Sequence, residues 1–240
     1  MKISVLTVFP EMVKPLLDAS ILGRAQKNGI LDIEVINIRD FADNKHHNTD
    51  DYPFGGGVGM LMMAQPIFSA FEKIKTENSL SIYLSPQGKL FNSDIAKELS
   101  KEKHLILLCG HYEGVDQRVI DNLIDCELSI GNYVLTGGEL AAVAVIDATA
   151  RFVEGVLGSN TSAHDDSFSD GLLEAPQYTR PADFNGLTVP EVLLSGNHKE
   201  IAAWQREKQL EITLKKRPEL LNSAVLSEKD KKFLEKIKNE

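Results

Sequence analysis

Two glycine-punctuated loops carry most of the chemistry legible in this 240-residue chain: CGHYEG at 109–114 and SIGNYVLTGGEL at 129–140. Each follows a strand-like apolar run and precedes a helix-like one, which brings exposed main-chain amides and carbonyls to one edge of a sheet, where small molecules bind. Gly110, Gly131, Gly137 and Gly138 permit close backbone approach, and Tyr112, Tyr133 and Leu135 supply apolar walls for a flat ring. Such a pocket suits an adenine read by main-chain atoms. Glu113 adds a carboxylate that either faces a cationic group or sits solvated on its loop. On these residues alone the expectation is a ligand pocket without a named ligand.

Other chemistries find no support in the motifs. No GxGxxG follows the first strand, no GxxxxGK[ST] is present, and GGGVG at 55–59 reads as a plain loop, which sets aside dinucleotide-binding and P-loop sites. There is no GxSxG elbow and no convincing Ser, His and acid set. His46 and His47 are adjacent on a polar loop that points them apart, so they read as a solvated pair rather than metal ligands. Cys109 and Cys126 lack CxxC or zinc spacing, and a reduced, cytoplasmic setting is the expectation.

The elements that must position the loops follow from apolar periodicity. Strands are expected near 2–8, 31–38, 80–84, 104–109 and 126–130. Helices are expected at 10–28, 65–75, 92–101 with Asn92 as cap, 115–125 and 138–153. Strands alternating with helices predict an α/β fold around a mostly parallel sheet. The stretch SNTSAHDDSFSDG at 159–171 is polar, small and ends in glycine, so it reads as a flexible linker. Helical spacing then returns at 200–214 and at 227–237, where Ser227 is placed to cap. The predicted organisation is a domain over 1–158, a linker over 159–171 and a small helical C-terminal domain over 172–240.

With 42% hydrophobic residues and no apolar run near the roughly 18 residues of a membrane span, the chain reads as soluble, with no membrane partner. MKISVLTVFP is too short in its apolar part for a secretory signal and reads as the first strand. The net charge is −9, but residues 1–198 carry −12 and 199–240 carry +3. The basic end is either a solvated helical surface or a grip for a polyanion.

Against this background the strings YPFGGGVGM (52–60), LSPQG (84–88), CGHYEGVDQR (109–118), SIGNYVLTGGEL (129–140), RFVEGVLG (151–158), DDSF (165–168) and VLLSGNH (192–198) stand in one order over nearly the whole chain. Together they resemble the bacterial tRNA (guanine-N1)-methyltransferases that act at guanosine 37. The resemblance implies the SPOUT fold, with a deep C-terminal trefoil knot in the α/β domain. It also implies a homodimer with the active site at the subunit interface. S-adenosylmethionine is the implied methyl donor, held at Pro86, Gln87, Gly110, Tyr112, Glu113, Ile130, Gly131, Asn132, Tyr133, Val134, Leu135, Gly137 and Gly138. The catalytic residues carried over are Asp166 and Arg151, the aspartate acting across the interface. A divalent metal, magnesium, is implied as well, with no ligand set legible here. Asn132 stands where the family often has aspartate, and Ala141 where proline often follows Gly-Gly-Glu-Leu.

The chemistry accounts for both catalytic residue types. Guanine N1 carries a proton, so attack on a sulfonium methyl needs a base, which is the role expected of Asp166. Charge then develops toward O6, where the Arg151 guanidinium donates hydrogen bonds worth on the order of 3 kcal/mol. Without the resemblance, Asp166 and its neighbour Asp165 read as caps or solvated charges, and Arg151 as a cation at a helix C-terminus. The tRNA grip is expected on the basic end, with Trp204, Arg206, Lys208, Lys215, Lys216 and Arg217 as candidates, Trp204 also fitting a core position. The target base must leave its stack to enter the pocket. Two other readings stand beside this one: a noncatalytic RNA-binding module on the same fold, and a SPOUT enzyme methylating a ribose or another base.

Overall fold

The computed structural model describes residues 1–158, 167–168 and 170–238. The chain divides into two compact units, Met1–Ser159 and Asn160–Glu240.

The first unit begins with β1 (Lys2–Thr7), α1 (Pro10–Leu17), α2 (Ser20–Lys27) and β2 (Asp32–Asn37). The short strands β3 (Asp50–Asp51) and β4 (Leu61–Met62) precede α3 (Ala64–Ile74) and the long β5 (Ser79–Leu90). Then come α4 (Ser93–Leu99), β6 (His104–Cys109), α5 (Gln117–Leu123), β7 (Cys126–Ser129) and α6 (Glu139–Ala150). Five strands form one sheet in the order β2-β1-β6-β5-β7, every pair parallel, and β3 pairs antiparallel with β4 as a separate ribbon. The expected mostly parallel α/β sheet is present.

Each strand sits where its side chains dictate. HLILLC of β6 is buried at all six positions, the continuous apolar run of a central parallel strand covered on both faces. Val13, Leu17, Leu22, Leu99, Val145 and Ile146 from α1, α2, α4 and α6 pack with Ile3, Val5, Leu105 and Leu107 on one face. Ile67, Phe71 and Val119 from α3 and α5 pack with Leu6, Ile106 and Leu108 on the other. Each such side chain, fully buried, contributes about 1.5–3 kcal/mol of transfer free energy. The one ring at the start of β6, His104, lies between the Ser4 and Ser79 hydroxyls at 2.9 and 2.8 Å. Burial, aided by the nearby Lys2 charge, lowers its pKa below the usual histidine value.

Two elements depart from the periodicity. The expected helix over 10–28 is two helices, because the chain folds back at Asp18–Ala19 and brings the Asp18 carbonyl to 2.0 Å from where a Cβ on residue 23 would stand. Only glycine fits there. β5 outruns its expected end at 84: its pairing with β7 jumps from Leu84↔Leu128 to Lys89↔Leu128, so residues 85–88 loop out of the ladder beside the carboxyl edge.

The second unit carries a two-stranded hairpin of β8 (Asp183–Phe184) and β9 (Leu187–Thr188), then α7 (Glu191–Leu194), α8 (His198–Lys216) and α9 (Glu228–Lys238). The hairpin has no counterpart in the sequence reading. Leu172, Leu210 and Leu234 form the buried centre. Ser167, Phe168, Asp170 and Gly171, read from sequence as linker, are hydrogen-bonded within this unit: Ser167 and Glu174 bond each other twice, and the Phe168 amide donates to the Leu172 carbonyl at 2.8 Å. Among the described residues no helix is long and apolar enough to cross a membrane.

Candidate functional site

The first unit places a cleft of about 230 Å³ at the carboxyl edge of its sheet, where β5, β6 and β7 end. Three loops wall it. The 85–88 loop after Leu84 contributes Pro86, the loop after β6 contributes Gly110, Tyr112 and Glu113, and the loop after β7 contributes Ile130, Gly131 and Tyr133. The same last loop continues through Val134, Leu135, Gly137 and Gly138 into α6. Eleven of the thirteen residues assigned from sequence to the methyl donor therefore converge on one cleft. Gln87 and Asn132 do not line it and are exposed; the Gln87 amide donates to the Ser85 hydroxyl at 3.1 Å, which shapes the turn.

Close main-chain approach makes the cleft. The Gly138 amide donates to the Gly110 carbonyl at 2.8 Å, and His111 pairs with Gly137 as an antiparallel bridge, so the two loops cross beside the cleft that both line. A Cβ on residue 138 would lie 2.9 Å from the Cys109 Cα, a contact with backbone that cannot swing away. Tyr112 holds φ at +58°, a conformation that costs a non-glycine residue free energy and clusters at functional sites. Its hydroxyl is 3.4 Å from the Arg39 guanidinium.

The 52–60 string is tied to this edge. The Met62 amide donates to the Gly114 carbonyl at 2.9 Å and the Glu113 amide to the Met60 carbonyl at 3.0 Å, while Gly59 packs against the Glu113 side chain. Glu113 is exposed. Tyr52, Phe54 and Val58 project from the loop almost wholly into solvent.

Beneath the crossing lies a polar group the sequence did not reveal. Glu139, 1% exposed, accepts from the Thr7 hydroxyl at 2.7 Å through Oε1, while its Oε2 has no hydrogen-bond partner among the described residues. His111 Nδ1, also buried and without a hydrogen-bond partner among the described residues, is 3.7 Å from that oxygen. Burial, then the Glu139 charge, pushes the Cys109 thiol well up, so it stays protonated. His111 belongs to the CGHYEG string, but nothing in the sequence linked it to Glu139 or linked either to Thr7. Tyr83 closes the floor, its phenol pushed up by burial and by Glu127.

Arg151 caps the C-terminus of α6, its amide 3.4 Å from the Asp147 carbonyl, and does not line the cleft. Asp165 and Asp166 lie outside the described residues. In the second unit Arg206 bonds Asp170, Asp230 and the Val225 carbonyl, Lys208 pairs with Glu211 at 2.6 Å, and Arg217 pairs with Glu219. Lys215 and Lys216 are exposed at the end of α8, and Trp204 is half-buried.

A parallel α/β sheet with a glycine-walled cleft at its carboxyl edge defines an enzyme-like small-molecule binder. The sequence model of the tRNA (Guanine-1)-methyltransferase TrmD family matches residues 1–223. A protein named tRNA (guanine-N(1)-)-methyltransferase from Caldanaerobacter subterraneus subsp. tengcongensis is 58% identical over 231 residues, 96% of this chain and 95% of its own. Proteins of the same name from Exiguobacterium sp. and Staphylococcus epidermidis are 55% and 52% identical, each over the full length of both chains. The chain belongs to the tRNA (Guanine-1)-methyltransferase TrmD family.

Proposed function

We propose that this protein methylates N1 of guanosine 37 in tRNA, beside the anticodon, with S-adenosylmethionine as donor. The observation that carries the reading is the convergence of eleven sequence-assigned donor residues on one cleft built from main-chain crossings. The residues fit such a ligand: Ile130, Val134 and Leu135 offer apolar walls, and main-chain groups of the two glycine loops offer donors and acceptors for a purine edge. When bound, S-adenosylmethionine supplies a methyl group on a cationic sulfur, ready for transfer to a nucleophile. The eleven cleft residues would hold it.

Asp166 would take the N1 proton as N1 accepts the methyl group. Arg151 donates to O6, where negative charge gathers as that proton leaves. Asp166 acts from the second protomer of a homodimer, so each site joins a donor cleft from one subunit to a base from the other. An aspartate at its ordinary pKa of about 3.9 is a weak base, and docking of tRNA strengthens it by excluding water.

The chain fold that suits this arrangement is the SPOUT trefoil knot. In support of it, the 85–88 loop stands out from the ladder against Glu127 and Leu128, while the chain after β7 runs back past Gly110 at the end of β6 before entering α6. Lys215 and Lys216 supply the tRNA grip, and the protein works in the cytoplasm. Among the described residues no three His, Cys, Asp or Glu side chains are grouped to hold a metal ion.

The test is methylation of unmodified tRNA transcripts followed by nucleoside analysis. The reading predicts 1-methylguanosine, lost when guanosine 37 alone is replaced. Methyl on a ribose, or undiminished transfer to the replaced transcript, overturns it.

A further inference from the structure

The unassigned polar group beneath the cleft has a consequence for ligand binding. A buried carboxylate oxygen without a hydrogen bond is costly, more so when charged, and among the described residues Glu139 Oε2 has none. His111 Nδ1, equally buried, faces it at 3.7 Å. Two acceptors turned toward each other would repel, whereas an N–H turned toward a carboxylate attracts it, so the ring proton belongs on Nδ1. A closing shift of less than about 1 Å completes that bond.

The surroundings favour this arrangement over any other. Thr7 already donates to Oε1, and its own oxygen accepts the Phe9 amide at 2.9 Å. The Cys109 thiol is held protonated beside the carboxylate. Phe9 packs on one side of the imidazole at 4.7 Å between ring centres, and Tyr112 meets it edge-on at 5.2 Å, which fixes the ring plane. Arg39 reaches the Tyr112 hydroxyl, and Glu113 extends outward on the same loop. Gly137 completes the enclosure: a Cβ there would stand 2.3 Å from Glu139 Oε2 and 2.5 Å from His111 Nδ1. With Nδ1 buried, the 19% of the His111 side chain that remains exposed lies elsewhere on the ring, and His111 lines the cleft.

We propose that Glu139 is a positioning residue that fixes His111 in its Nδ1–H tautomer, so that Nε2 presents a lone pair to the cleft and accepts a hydrogen bond from the bound ligand. Resting on the donor reading above, the partner is an N–H or O–H group of S-adenosylmethionine, its ammonium or a ribose hydroxyl. His111 thereby adds a side-chain acceptor to the cleft.

The test is nitrogen-15 NMR of the histidine rings in the full-length protein, with the His111 signal assigned by its loss in His111→Asn. The free protein is expected to show Nδ1–H for His111, and its Nε2 resonance to shift when S-adenosylmethionine is added. Glu139→Gln, which keeps the shape and the Thr7 bond, turns an N–H toward Nδ1 and is expected to shift the ring to the Nε2–H tautomer and to weaken S-adenosylmethionine binding about tenfold while turnover at saturating donor changes less. An Nε2–H tautomer in the unsubstituted protein overturns the proposal without any variant having to fold. So does Glu139→Gln with tautomer and affinity unaltered. Because the tautomer is read on free protein, it stands apart from the methylation assay: failure to form 1-methylguanosine would remove the functional reading and leave the Glu139–His111 pairing in place.

Discussion

Gly138 shows how little room the cleft leaves at the scale of single residues. Its main chain lies so close to Cys109 that a methyl group would meet backbone on the central strand, and the amide that bonds Gly110 would have to move with it. Gly138→Ala is expected to cost about 1–3 kcal/mol in denaturant unfolding, the usual range for overpacking, and to weaken donor binding measured by calorimetry. Unchanged stability and affinity would show that the crossing is looser than it looks. The glycines themselves were legible from sequence because their spacing between a strand and a helix has a physical reading. Glu139 was not, since its partner Thr7 is 132 residues away and only the fold brings them together.

Helix and strand boundaries followed local signals where those signals were self-contained. Asn92 accepts the Ile95 amide at 3.0 Å, and Ser227 exchanges two bonds with Asp230, both as their sequence positions required. The break at Asp18–Ala19 was missed because apolar spacing runs through it; Gly23 was the available sign. Arg206 is the instructive case, since charge alone made it a candidate for tRNA while its bonds place it inside the second unit. Burial opposes ionisation of Asp230, yet hydrogen bonds from Arg206 and Ser227 hold its carboxyl below the usual range. Arg206→Met would leave that carboxylate, 6% exposed, without its cation, at a cost of about 3 kcal/mol seen as a lower melting temperature. The paired change Lys215→Ala and Lys216→Ala is expected to leave melting unchanged, weaken tRNA binding and flatten its salt dependence by about one unit per lysine. Equal melting for Arg206→Met, or a salt slope untouched by the lysine changes, would reverse these assignments.

For the whole molecule, the parallel sheet could be read from alternating apolar strands and helices, because period and length are local properties. The strand order β2-β1-β6-β5-β7 could not, since it depends on which distant strands pair, and neither could the detour of β5 around residues 85–88. The cleft arises from that order: it places the ends of β5, β6 and β7 side by side and gathers loops separated by up to some fifty residues. Under the proposed function a carboxylate from a second protomer would complete this cleft, and the most direct test is Asp166→Ala with donor binding and methyl transfer measured apart. Calorimetry is expected to give S-adenosylmethionine affinity near that of the unsubstituted protein, while single-turnover transfer to tRNA falls by at least about a hundredfold. Loss of donor binding in a folded variant would place Asp166 in the donor pocket, and undiminished transfer would remove it as the base.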